Sequence, residues 1–163
     1  MKHKAQLGFG LGLHSSIADT AVTVIIIVVL VLIAIPAFKD YKALAQAVKA
    51  IESVSPAKAA IEKSFAAKGP ADMWQSVITG WTNPAPTEQL QSVVIGRDGV
   101  ITLRFTEEVA PQGKNEIQIV PVVAGKAVDL SLAANAGRKF EWQCGGPAGK
   151  TTLQEKHRPK NCR

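Results

Sequence analysis

Few residues in this chain combine the type and spacing that chemistry requires. Cys144 and Cys162 are its two cysteines, both in the last twenty residues. A close pair at the end of a chain that carries an upstream apolar segment suggests a disulfide in an oxidising compartment. Closing that loop is worth about 3 kcal/mol on chain-entropy grounds. Of the three histidines only His157 lies near them, and no metal-ligand spacing appears. His14, Ser15 and Ser16 adjoin one another without a nucleophile elbow, and no phosphate loop is present. Glu107-Glu108 reads as a solvated turn after a strand rather than an acid/base pair. No catalytic, cofactor-binding or metal site is therefore expected, and the protein is not read as an enzyme. One carboxylate stands out: Asp19, at the lip of a long apolar run, where burial without a partner is costly.

That run, Thr20 to Phe38, holds no charge and contains Pro36. As a helix it spans roughly 28 Å, the thickness of a bilayer's hydrocarbon core. Lys2 and Lys4 precede it without an acid, which favours an N-terminus held in the cytoplasm and a head on the far side. Lys39 to Tyr41 and a helical pattern follow it in place of small cleavage-site residues, so an uncleaved anchor is the better reading.

The helical pattern continues to residue 67 on Leu44, Val48, Ile51, Ile61 and Phe65. Pro36 and Pro56 should each kink this rod rather than end it, giving about 75 Å of helix if it is continuous. Two separate helices are the alternative. Lys68-Gly69-Pro70 ends the pattern. Residues 68–91 then connect to the rest, with Trp74 and Trp81 either covering a sheet or exposed for contact.

Beyond Gln91 the period becomes two. Residues 92–95 and 100–105 read as a hairpin with Asp98-Gly99 in its turn. A strand over 116–120 should finish near Pro121, which belongs at a strand end or edge. Residues 127–133 are a weaker strand candidate, and 138–144 form a final one. The whole is α+β: a long N-terminal hydrophobic helix packed on a C-terminal antiparallel sheet. The chain's net charge is +6, with its basic residues spread over the head, as a solvated surface or as a face for polyanions.

Four stretches resemble the type IV pilins of the major-pilin (type IVa) kind. They are Ile33 to Tyr41 (IAIPAFKDY), the Pro36/Pro56 spacing, the head pattern through Gly99–Phe105, Glu116–Pro121 and Phe140–Cys144, and the terminal Pro159 to Arg163 (PKNCR). The resemblance implies a leader over residues 1–8 cut between Gly8 and Phe9 by a prepilin peptidase, with methylation of the new N-terminus. It implies an N-terminal helix over 9–67 with its membrane segment at about 20–38, a connecting loop over 68–91, and a sheet head over 92–163 with a disulfide-bounded loop. The family's assembly glutamate is absent: Leu13 stands at one register and Asp19 at the other, separated by an insertion at Gly10 to His14. Asp19 is then either the assembly acid, paired with a neighbour's amino terminus, or a helix N-cap. The implied function is a subunit of a pilus-like filament, a homo-oligomer built through the N-terminal helix. It is held first in the inner membrane with a periplasmic head, then handled by the pilus assembly machinery and displayed outside the cell. Adhesion to a host surface, motility or DNA uptake would be filament properties. A non-polymerising anchored binding domain is the alternative.

Overall fold

The computed structural model describes residues 17–77 and 81–163. In chain order they form α1 (Ile17–Ser53), α2 (Ser55–Lys68), α3 (Met73–Val77), β1 (Leu90–Ile95), β2 (Ile101–Phe105), β3 (Glu116–Val123), β4 (Lys126–Ala127) and β5 (Glu141–Cys144), with short 3-10 turns near the C-terminus. The chain divides into two units, Met1–Ala37 and Phe38–Arg163.

α1 runs through Pro36 without interruption. The break comes instead at Val54, two residues before Pro56, which sits in the first turn of α2. Proline lacks the N–H that the Glu52 carbonyl would receive, and its ring crowds that carbonyl, so the helix yields in the preceding turn. Ser53 Oγ donates to the Ala50 carbonyl at 2.7 Å, and Lys58 N–H bonds the Val54 carbonyl at 3.1 Å, so α2 begins at once. The rod is thus two helices separated by one residue.

In the second unit the buried stripe of α1 and α2 is Ala43, Ala47, Ala50, Ile51, Val54, Ala57, Ile61 and Phe65. This spacing of three and four keeps one face inward. Leu44 and Val48, the larger residues the periodicity favours, are only half-buried. Between Ala43 and Ala50 the inner face is alanine, and from Ile51 on it takes larger residues, Val54, Ile61 and Phe65. The sheet answers with larger groups: Ile101, Leu103 and Phe105 of β2 and Ile117 and Ile119 of β3 are fully buried or nearly so.

The sheet is antiparallel, in the order β1-β2-β3, with β5 along the other edge of β3 and β4 paired to its end. The β1–β2 turn is closed by Gly96 N–H to Val100 O at 2.8 Å and by Val100 N–H to Asp98 Oδ1 at 3.1 Å. Gly99 has a φ of +90°, and a Cβ there would meet the Leu130 side chain at 2.8 Å, so any other residue here is strained.

Two strand expectations are corrected. β3 does not finish at Pro121 but runs on to Val123. The Pro121 carbonyl receives Val128 N–H at 2.9 Å, so the proline's missing N–H faces the side away from β5. On that side β2 pairing has ended at Ile119 and β4 pairing begins at Val122, so no ladder bond is lost. Residues 127–133 are not a strand: only Lys126–Ala127 pair. Asp129 Oδ1 takes Ser131 N–H at 2.8 Å and its hydroxyl at 2.6 Å, a local turn that competes with the ladder. Leu130 N–H meanwhile bonds Asp98 O at 3.0 Å, which carries the Leu130 side chain into the core.

Trp74 and Trp81 are half-buried against that core, as covering residues. Trp142 donates its Nε1–H to Glu62 Oε1 at 2.6 Å, and Phe140 sits edge-on between Phe65 and Trp142. This fixes β5 to α2.

Candidate functional site

The most unusual surface is that of α1 itself. From Val22 to Phe38 its large apolar side chains lie about half to two-thirds exposed, up to 66% at Leu32. Mean hydropathy over the most apolar window is 3.2, with none of it buried. A core helix of a soluble protein would be covered, and patches of this extent mark a surface awaiting lipid or a protein neighbour. Asp19 is exposed in the first described turn of this helix. It therefore lies inside the helix rather than ahead of it in the N-cap position.

The second feature is the C-terminal loop. Cys144 and Cys162 form a disulfide. Gly145, with φ +72°, lies so close that a Cβ would collide with the Cys162 carbonyl oxygen. Between the cysteines the chain returns along β3 where β5 does not reach. Thr151 and Thr152 hydroxyls accept the N–H groups of Gln118 and Glu116 at 3.0 and 3.1 Å. Thr152 and Leu153 N–H groups both bond the Glu116 carbonyl at 2.9 Å. Leu153 is fully buried in the core.

The loop is then clipped to α1. His157, which looks solitary in the sequence, is buried and places Nε2 2.8 Å from Asp40 Oδ1. Since the carboxylate only accepts, Nε2 carries the proton of this contact. Lys156 Nζ lies 2.9 and 3.0 Å from the two Asp40 oxygens. The His157 hydrogen bond, and then that of Lys156, hold the Asp40 carboxyl below its ordinary value of 3.8. Asp40, Lys156 and His157 were not among the site residues expected from sequence. The available signal was Asp40 itself, an acid in the first turn after the apolar run with basic residues waiting at the far end of the chain.

The structure joins Cys144 to Cys162 and leaves the other expected residues apart: Asp19, Pro36 and Pro56 are strung along the helices. Gly8 and Phe9 lie outside the described residues. Glu107 and Glu108 are exposed in a turn. Among the described residues no group of histidine, cysteine and acid side chains is placed to hold a metal ion.

The described residues combine a long helix, apolar and exposed over Val22 to Phe38, with an antiparallel sheet and a disulfide-bounded tail. Residues 43–163 match the family model of pilin, a bacterial filament protein, and the chain belongs to that family. The crystal structure of a type IV pilin from Pseudomonas aeruginosa is similar, with a TM-score of 0.58 at 17% identity. The match covers 74% of this chain and 97% of that one. At that identity the likeness speaks for the fold. No curated protein matches the chain in sequence.

Proposed function

We infer that this pilin is made as an inner-membrane precursor with its head in the periplasm. It is then cut between Gly8 and Phe9 by a prepilin peptidase, methylated, and passed by the assembly machinery into an extracellular type IV pilus. The observation that carries this reading is the uncovered apolar surface of Val22 to Phe38. Valine, isoleucine and leucine side chains are satisfied equally by lipid and by neighbouring helices, so the same surface serves anchor and filament core in turn. Asp19 is the charge that must be neutralised when that surface enters a core, and an adjacent subunit's amino terminus is the partner of the right sign. Adhesion, motility or DNA uptake would follow from the heads displayed on the filament, whose excess of basic residues favours acidic surfaces.

Shearing cells and blotting the filament fraction for this chain tests polymerisation, with the chain expected in that fraction. Its confinement to membranes would favour the alternative of an anchored, non-polymerising binding domain. Mass spectrometry of the mature N-terminus tests processing: methylated Phe9 is expected, and an intact Met1 would overturn the cleavage assignment.

A further inference from the structure

Immediately after the apolar run, α1 and the turn that follows β2 enclose an open cleft of about 480 Å³. α1 contributes Lys39 and Lys42, three residues apart and so on one face. The turn contributes Glu107 and Glu108. All four are exposed, and none is in an ion pair among the described residues. The third acid of the cleft, Asp40, is already met by Lys156 and His157. What remains is two cations and two anions around one space, without partners of their own.

That pattern selects a ligand. A purely anionic group would be attracted by the lysines and repelled by the glutamates, and a polycation would meet the reverse. A zwitterion with its charges a few bonds apart satisfies both pairs. The position narrows the choice further, because Lys39 directly follows Phe38, the last residue of the apolar run. In an anchored chain this is the depth of the lipid headgroups. We propose that the cleft binds the phosphoethanolamine headgroup of a zwitterionic phospholipid, phosphate toward Lys39 and Lys42 and primary ammonium toward Glu107 and Glu108. The ammonium has N–H donors for the two carboxylates, which the trimethylammonium of phosphatidylcholine lacks. The inference rests on the membrane-anchor reading given above.

The test uses the full chain in mild detergent, offered equal amounts of phosphatidylethanolamine, phosphatidylcholine and phosphatidylglycerol with identical acyl chains, with retained lipid read by native mass spectrometry. Phosphatidylethanolamine should be retained about tenfold over either competitor, the discrimination of roughly one charge-assisted hydrogen bond. The double variant Glu107→Gln, Glu108→Gln should lose the preference over phosphatidylcholine. Lys39→Gln with Lys42→Gln should weaken retention of all three, with circular dichroism confirming that each variant is folded. Equal retention of the three lipids by the unaltered chain overturns the proposal. So does equally tight binding of soluble O-phosphoethanolamine in lipid-free detergent, which would make the ligand a free zwitterion rather than a lipid. Carbonate extraction of native membranes reports anchoring separately: protein that stays anchored yet shows no headgroup preference overturns the cleft assignment and leaves the anchor intact.

Discussion

Asp40 ties the C-terminal tail to α1 through two basic side chains, Lys156 and His157. It is the only contact by which Lys156 and His157 hold the tail to α1 through charged groups among the described residues. Its carboxyl is held below the ordinary 3.8, so the folded state binds fewer protons here than the unfolded chain. The contribution is therefore complete above about pH 4 and is lost as pH falls through the lowered value. Hydrogen exchange of residues 154–161 followed between pH 7 and 2 should show protection falling at the acid end. Asp40→Asn should exchange faster at neutral pH and lose that acid step. An unchanged pH profile in Asp40→Asn would mean that the disulfide and threonine contacts hold this segment unaided.

At the scale of elements, the tail acts as a sixth partner of the sheet. It pairs with β3 over Glu116 to Gln118 and buries Leu153, while the disulfide fixes its far end. Two contributions can be separated here. Leu153→Ala removes packing and leaves a cavity in the core, a loss of about 2–5 kcal/mol. Cys144→Ser with Cys162→Ser frees the unfolded chain and removes about 3 kcal/mol. Thermal melts of the two variants, with and without reductant, should show Leu153→Ala still sensitive to reduction and the serine pair insensitive. The disulfide was legible in the sequence because two cysteines permit one pairing. The hairpin around Asp98-Gly99, the long helix and the α+β order were legible because period and turn chemistry are local. The path of the tail was not, since Asp40 and His157 lie 117 residues apart and nothing local links them. Pro121 and residues 127–133 misled for a related reason. Whether a proline costs a ladder bond depends on which neighbour faces it, and whether a short apolar run pairs depends on a competing turn at Asp129.

For the molecule as a whole, the decisive surface is one that contributes nothing to the buried core of the second unit. The head has its own core, running from Ala43 to Cys162, and the residues from Val22 to Phe38 are absent from it. On the function proposed above those residues are covered first by lipid and then by sister helices, and the two environments differ in what they tolerate. Fluid acyl chains fill the space beside a shortened side chain, so truncation in a bilayer costs only lost apolar area, about 25 cal/mol per Å². A packed helix bundle cannot flow, and the same truncation adds a cavity. Leu30 lies near the middle of the run and is 61% exposed in the single chain. Leu30→Ala should therefore remain in carbonate-washed membranes while the yield or shear resistance of filaments falls. Leu30→Asp should fail in both, since a carboxylate at mid-bilayer costs about 3 kcal/mol and finds no partner in an apolar core. Full-strength filaments from Leu30→Ala would show that this position faces outward in the assembly. Loss of both variants from membranes would show that the anchor is too marginal to separate its two roles. Membrane retention and filament strength measured on the same cells thus distinguish a helix that merely anchors from one that also packs.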